Sequence, residues 1–176
     1  MDDEWVTEAT RRAMVRIAEH AELVGLANTE EFTFRSFFMA AAFELLDRPR
    51  FQTEWRKFDL LVQAGGANTL IEFKYYMARR TYHLDGNPGP WRGGPSAQNE
   101  REFSACVEKL RSTTVDGIDE RRLVLVYDRV GPARGSRSLH GSYGRLAPCA
   151  SVARVWPLAH GPLEARVLEP APGPLG

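Results

Sequence analysis

The chain has 176 residues, 43% hydrophobic and 26% charged, and its formal net charge is zero. This length suits one domain with a real core, and the neutral balance speaks against a protein that coats nucleic acid while leaving room for a small cleft. No stretch approaches the roughly 18 apolar residues of a membrane span, and Cys106 and Cys149 suit neither a disulfide framework nor a zinc site.

The start, MDDEW, lacks a basic region followed by an apolar one, so no secretory signal is expected. With the sparse cysteines this points to a reducing, cytoplasmic setting. Residues 1–31 hold Asp2, Asp3, Glu4, Glu8, Glu19, Glu22, Glu30 and Glu31 against Arg11, Arg12 and Arg16. Residues 129–163 hold Arg129, Arg134, Arg137, Arg145 and Arg154 and no acid. Such asymmetry permits a local anion-binding face on a neutral chain.

In chain order, Val6, Ala9, Ala13, Met14, Ile17, Ala21 and Val24 recur at helical spacing and predict a helix from Trp5 to about Leu26. A second helix is expected from near Glu31 to Leu46, with Thr29 as N-cap and Phe34, Phe37, Phe38, Ala41 and Leu45 as its buried stripe. Phe51, Thr53 and Trp55 alternate as on a short strand, with a break near Arg56 and Lys57. Strands over Phe58–Val62 and Leu70–Tyr76 flank the turn residues AGGAN. Residues 79–96 carry Gly and Pro at loop density, and a structureless loop of that length is more often functional than filler. Ser96 caps an expected helix over Ala97–Arg111, RRLVLVYD supplies a strand over Leu123–Tyr127, and SVARVWPL a final strand. The Pro/Gly-rich residues 169–176 read as a disordered tail. The organisation is one domain over 1–168: an N-terminal helix over 1–28, a core over 31–128, then a basic segment and final strand over 129–168. The expected class is α/β, a mixed central sheet flanked by helices on both faces.

Charges inside apolar strands need a reason. Residues two apart on a strand share a face, so Glu72 and Lys74 point one way while Ile71, Phe73 and Tyr75 point the other. In the partner strand Phe58, Leu60 and Val62 share a face, opposite Asp59 and Leu61. Pairing Leu60 with Ile71 aligns the apolar faces and sets Asp59 opposite Glu72. Two opposed carboxylates repel; a divalent cation between them turns that penalty into a binding site, with the Phe73 carbonyl as a further ligand. Lys74, alongside, suits orienting a water or stabilising charge on an attacked phosphate. A partly exposed sheet edge carrying a Lys74–Asp59 ion pair is the competing structural explanation.

Asp59 in KFDLLV and Glu72-Phe73-Lys74 in IEFKYY resemble the motif of the PD-(D/E)XK nuclease superfamily. The order of helix, three-stranded meander, helix and strand over residues 31–128 is similar too. The resemblance implies a restriction-endonuclease-like core, Mg²⁺ (or Mn²⁺) held by Asp59 and Glu72, and Lys74 helping to activate a water on a phosphodiester. Phe58 stands where the family's proline is common. The family often adds a glutamate from the preceding helix; Glu31, Glu44 and Glu54 compete, and the helix-opening position with Arg35 four residues on favours Glu31. A polar residue on the next helix near the metal is also common, and Gln98 is the candidate.

Arg79, Arg80 and Arg92, with Tyr82 and Trp91, follow closely after Lys74 and suit phosphate contact and base stacking. His20, His83, His140 and His160 show no ligand spacing, although His83 falls near the proposed site in sequence; Cys106 reads as core, and the segment from Gly131 to Arg145 lacks the phosphate-loop pattern. The expected function is a metal-dependent nuclease acting on nucleic acid, DNA by family analogy, without a membrane partner and with room for a homodimer or partner protein. The alternatives are a non-catalytic nucleic-acid-binding or protein-interaction module, or a nuclease subunit that needs a partner.

Overall fold

A computed structural model describes residues 4–77, 79–92, 96–129 and 151–173, with the backbone alone for 79–82 and 90–92. Helix α1 (Glu4–Val24) and helix α2 (Glu31–Leu45) are joined by a 3-10 turn over Leu26–Asn28. Strands β1 (Arg50–Trp55), β2 (Phe58–Ala64) and β3 (Ala67–Tyr76) follow, then β4 (Arg79–Tyr82) and β5 (Pro88–Arg92). Helix α3 (Ala97–Arg111) leads to β6 (Glu120–Asp128), β7 (Val152–His160) and β8 (Leu163–Pro170). Six strands form one mixed sheet in the order β1-β2-β3-β6-β8-β7, while β4 and β5 pair separately.

The first three strands are the expected antiparallel meander, and Leu60 faces Ile71 as the apolar pattern requires. Strand β6 lies parallel to β3, with Glu72 beside Leu123 and Lys74 beside Leu125. Joining parallel neighbours demands a crossover, here through α3. That crossover runs α3 back along the sheet: its opening turn lies at the end of β3, where the Tyr76 hydroxyl donates to the Asn99 carbonyl at 3.2 Å. Ser96 caps this helix by accepting the Asn99 N–H at 3.1 Å.

The sheet has two apolar faces. On one, Leu60, Val62, Ile71, Phe73, Val124 and Val126 pack against α1 and α2, with the Phe73 ring edge-on to Phe38 at 5.2 Å and to Phe34 at 6.2 Å. On the other, Leu61, Leu70, Leu123, Leu125 and Tyr127 pack against Phe103, Val107 and Leu110 of α3. Helices therefore cover both faces. Among the described residues, no helix is long and apolar enough to cross a membrane.

Several expectations are corrected. Thr29 does not cap α2; Glu30 takes that position, and the buried Thr29 hydroxyl instead bonds the Leu26 carbonyl and lies 2.7 Å from the Tyr75 hydroxyl. The stretch expected to be structureless after Ala78 contains the β4–β5 hairpin. SVARVWPL is not the final strand: β8 follows it and inserts between β6 and β7. Glu169 and Pro170, assigned to a disordered tail, close β8. Pro157 is tolerated because β7 is the edge strand. The Arg134, Arg137, His140, Arg145 and Cys149 readings lie outside the described residues.

Candidate active site

Strand β3 lies inside the sheet, between β2 and β6. Edge protection therefore does not explain its charges. Ile71 and Phe73 enter the α1/α2 layer, so alternation turns Glu72 and Lys74 toward α3. The Glu72 side chain is only 3% exposed.

Asp59 does not sit squarely opposite Glu72. The β2–β3 ladder ends at Leu60 and Ile71, and beyond it the Asp59 carboxylate accepts the Phe73 N–H at 2.7 Å. A side chain thus stands where the ladder would supply the Phe58 carbonyl. The strand is locally rearranged here: Phe58 packs in the α3 layer with Leu61 rather than sharing the face of Leu60 and Val62. The backbone just upstream is irregular as well: Glu54, between the Thr53–Leu60 and Trp55–Phe58 pairs, adopts a positive φ of 53°. Trp55 and Phe58 pair across a two-residue turn, and Arg56 and Lys57 both adopt positive φ, at 47° and 71°. Such turns favour Asn-Gly; in Arg and Lys the conformation is strained.

Helix α2 closes the second side. Buried Arg35 donates to Glu54 at 2.7 Å and to the Asp59 carbonyl at 3.2 Å, and lies 3.9 Å from the Asp59 carboxylate. The anticipated Glu31–Arg35 pairing thus gives way to Arg35 bridging Glu54 and Asp59. Glu31, at the start of α2, lies within the field of Lys74, Asp59, Arg35 and Glu72. Burial pushes its carboxyl up to about 7, Lys74 partly opposing and Asp59 adding to the rise. Of the rivals, Glu44 pairs with Arg12 and Arg16 on the outer surface, while Glu54 shares Arg35 with Asp59 but its side chain is 62% exposed.

Glu72 is likewise raised, first by burial and then by Asp59, against the pull of Lys109 and Lys74. Burial alone would lower the Lys74 ammonium; Cys106, Glu31, Asp59 and Glu72 outweigh it and the group is raised. Lys74 therefore stays cationic at neutral pH.

The residue missed in the sequence is Lys109. Its ammonium donates to Glu72 Oε1 and to the Lys57 carbonyl, and lies 4.5 Å from the centre of the Phe58 ring. Cys106, one turn earlier, lies in the field of Lys74, Glu72, Lys109 and Asp59, and burial raises its thiol. Gln98 is exposed and donates to Glu102 at 2.9 Å. It lies eleven residues from Lys109, about 16 Å along the helix, at the end of α3 near Tyr76 rather than Glu72. His83 is exposed in the β4–β5 turn. The backbones of Arg79, Arg80 and Arg92 belong to the β4–β5 pair.

The available donors are carboxylate oxygens, and the raised Glu31 and Glu72 reflect acids that burial and mutual repulsion penalise when empty-handed. That chemistry suits a hard dication. As they stand, however, Asp59 is engaged by the Phe73 amide and Glu72 by Lys109, and no group of three His, Cys, Asp or Glu among the described residues is gathered closely enough to hold a metal ion. A metal at Glu72 would meet a carboxylate whose Oε1 already accepts from Lys109. A scan of protein-family models found no match to this chain, and searches of curated proteins and of solved structures returned none.

Proposed function

We propose that this chain is a metal-dependent phosphodiesterase with a restriction-endonuclease-like core, acting on nucleic acid and, by family analogy, on DNA. One observation carries the reading: Glu31, Asp59, Glu72 and Lys74 come from α2, β2 and β3 into one another's electrostatic field beside an internal strand. Structural ion pairs place carboxylates where their charge is welcome; here two of them are held where it is not, as at sites built for chemistry.

A bound Mg²⁺ or Mn²⁺ would supply Lewis acidity toward both water and phosphate. Asp59 and Glu72 are the residues that would hold it. The Phe73 amide fixes the Asp59 carboxylate, so little ordering remains to be done on binding. Lys74 stays protonated and donates to the attacking water or to a non-bridging phosphate oxygen, stabilising charge that grows in the transition state. Glu31, near neutrality in its titration, is suited to receive the proton that the water loses as its oxygen bonds to phosphorus and the ester oxygen leaves.

The test is incubation of plasmid and single-stranded DNA with Mg²⁺ or Mn²⁺, comparing wild type with Lys74→Ala. Cleavage should fall by about 100-fold or more; cleavage at the wild-type rate would overturn the assignment. A second reading, a nuclease-like scaffold without catalysis, is favoured only by the Lys109 contact with Glu72. It expects no cleavage from either chain.

A further inference from the structure

Lys109 is held as a bound cation would be. Its ammonium meets a carboxylate oxygen of Glu72, the main-chain oxygen of Lys57 and the face of Phe58. An anionic oxygen, a carbonyl oxygen and an aromatic face are the three groups that take up cations in protein interiors. Two of them, Lys57 and Phe58, belong to the strained turn whose backbone departs from ordinary strand geometry. The two partners of the ion pair differ in access: the Lys109 side chain is 35% exposed, the Glu72 side chain 3%. Lys109 can leave into water along its flexible stem, whereas Glu72 cannot.

We propose that Lys109 is a tethered counter-cation that competes with a divalent metal for Glu72, and that metal entry expels its ammonium toward solvent. This rests on the reading of Glu72 as a metal-binding carboxylate. The physical argument is one of substitution. Without a metal, Glu72 is a buried acid in the field of Asp59, and leaving it unpaired is costly. Lys109 removes that cost and keeps the carboxylate in place. An arriving dication carries twice the charge and is repelled by the ammonium already on Glu72 Oε1, so Lys109 sets a threshold on metal occupancy. Lys74 differs in kind, because its position on β3 is fixed two residues from that acid and it acts on Glu72 through its charge.

The test is calorimetric titration of Mn²⁺ into the metal-free full chain as wild type, Lys109→Met, Glu72→Gln and the double variant. Lys109→Met should bind at least about tenfold more tightly than wild type, and Glu72→Gln should abolish that difference. Equal affinity in wild type and Lys109→Met would overturn the competition while leaving the metal site intact. Binding by Lys109→Met alone would support the competition and overturn the metal-dependent activity of the native chain. Binding by no chain would overturn both. Should Lys109→Met fail to fold, lysine-ammonium NMR of wild type carries the question. The Lys109 signal, slowed in exchange by its three partners, should be lost on adding Mg²⁺; its persistence at saturating Mg²⁺ would overturn the proposal.

Discussion

Two groups of glutamates in this molecule behave in opposite ways. On the outer surface of α1 and α2, Glu8 is clasped by Arg11 and Arg12, and those hydrogen bonds pull its carboxyl down to about 2. Glu44, bonded by Arg16 and Arg12, is lowered as well. Under α3 and at the start of α2, Glu72 and Glu31 are raised instead, burial outweighing the nearby lysines. Residue types and charge partners are alike in the two places. What differs is water: the surface acids keep their hydration and gain a partner, while the inner acids lose hydration and both feel the charge of Asp59. Ion pairing alone therefore does not separate the two groups; burial does.

The comparison can be broken first at Lys109. Lys109→Met leaves Glu72 buried without its cation and should cost about 3 kcal/mol in chelator, toward the low end for a broken buried pair because Lys109 is partly exposed. Glu72→Gln should cost clearly less, since Lys109 can turn to water. Equal losses in chemical denaturation would contradict this asymmetry.

Glu31 gives the next effect, with the opposite sign. Its ordinary value is 4.5 and its folded value about 7. Between these the folded chain retains a proton that the unfolded chain has released, so the group erodes stability as pH rises through that window. Glu31→Gln should remove the slope and leave the metal-free chain about 2 kcal/mol more stable than wild type at pH 8, with little difference at pH 4. Denaturation curves at the two pH values check both sign and size.

The surface acid should be quietest. Glu8 is depressed, so its contribution is present above about pH 4.5 and disappears as pH falls toward 2. Glu8→Gln should cost less than about 1 kcal/mol at pH 7, and added salt should shrink that further.

Much of this arrangement was readable in the sequence because period-2 alternation leaves little choice. Ile71 and Phe73 demand the core, so Glu72 and Lys74 must face the other way, and Leu60 must meet Ile71. The position of Asp59 was only half readable. Alternation places it beside Glu72, but left-handed backbone at Glu54, Arg56 and Lys57 is not signalled by those residue types, and next to it Phe58 changes layers. Strand β8 alternates Leu163, Ala165 and Val167, a pattern overshadowed by the Pro-rich residues after it. Lys109 lay beyond local pattern because its role depends on the direction of the crossover. A helix returning antiparallel to β3 brings its last turns, not its first, over Glu72, and the long lysine side chain reaches in from the flank of the apolar stripe. Gln98 looked suitable by residue type but lies at the wrong end of that helix.

The claim that the inner acids form a dication site is most directly tested by melting wild type and Asp59→Asn across a Mn²⁺ titration starting from chelator. The account expects the wild-type Tm to climb by about 5–10 °C as Mn²⁺ passes its dissociation constant a hundredfold, with Asp59→Asn unmoved. A wild-type Tm that stays flat, or that rises equally in Asp59→Asn, would contradict it.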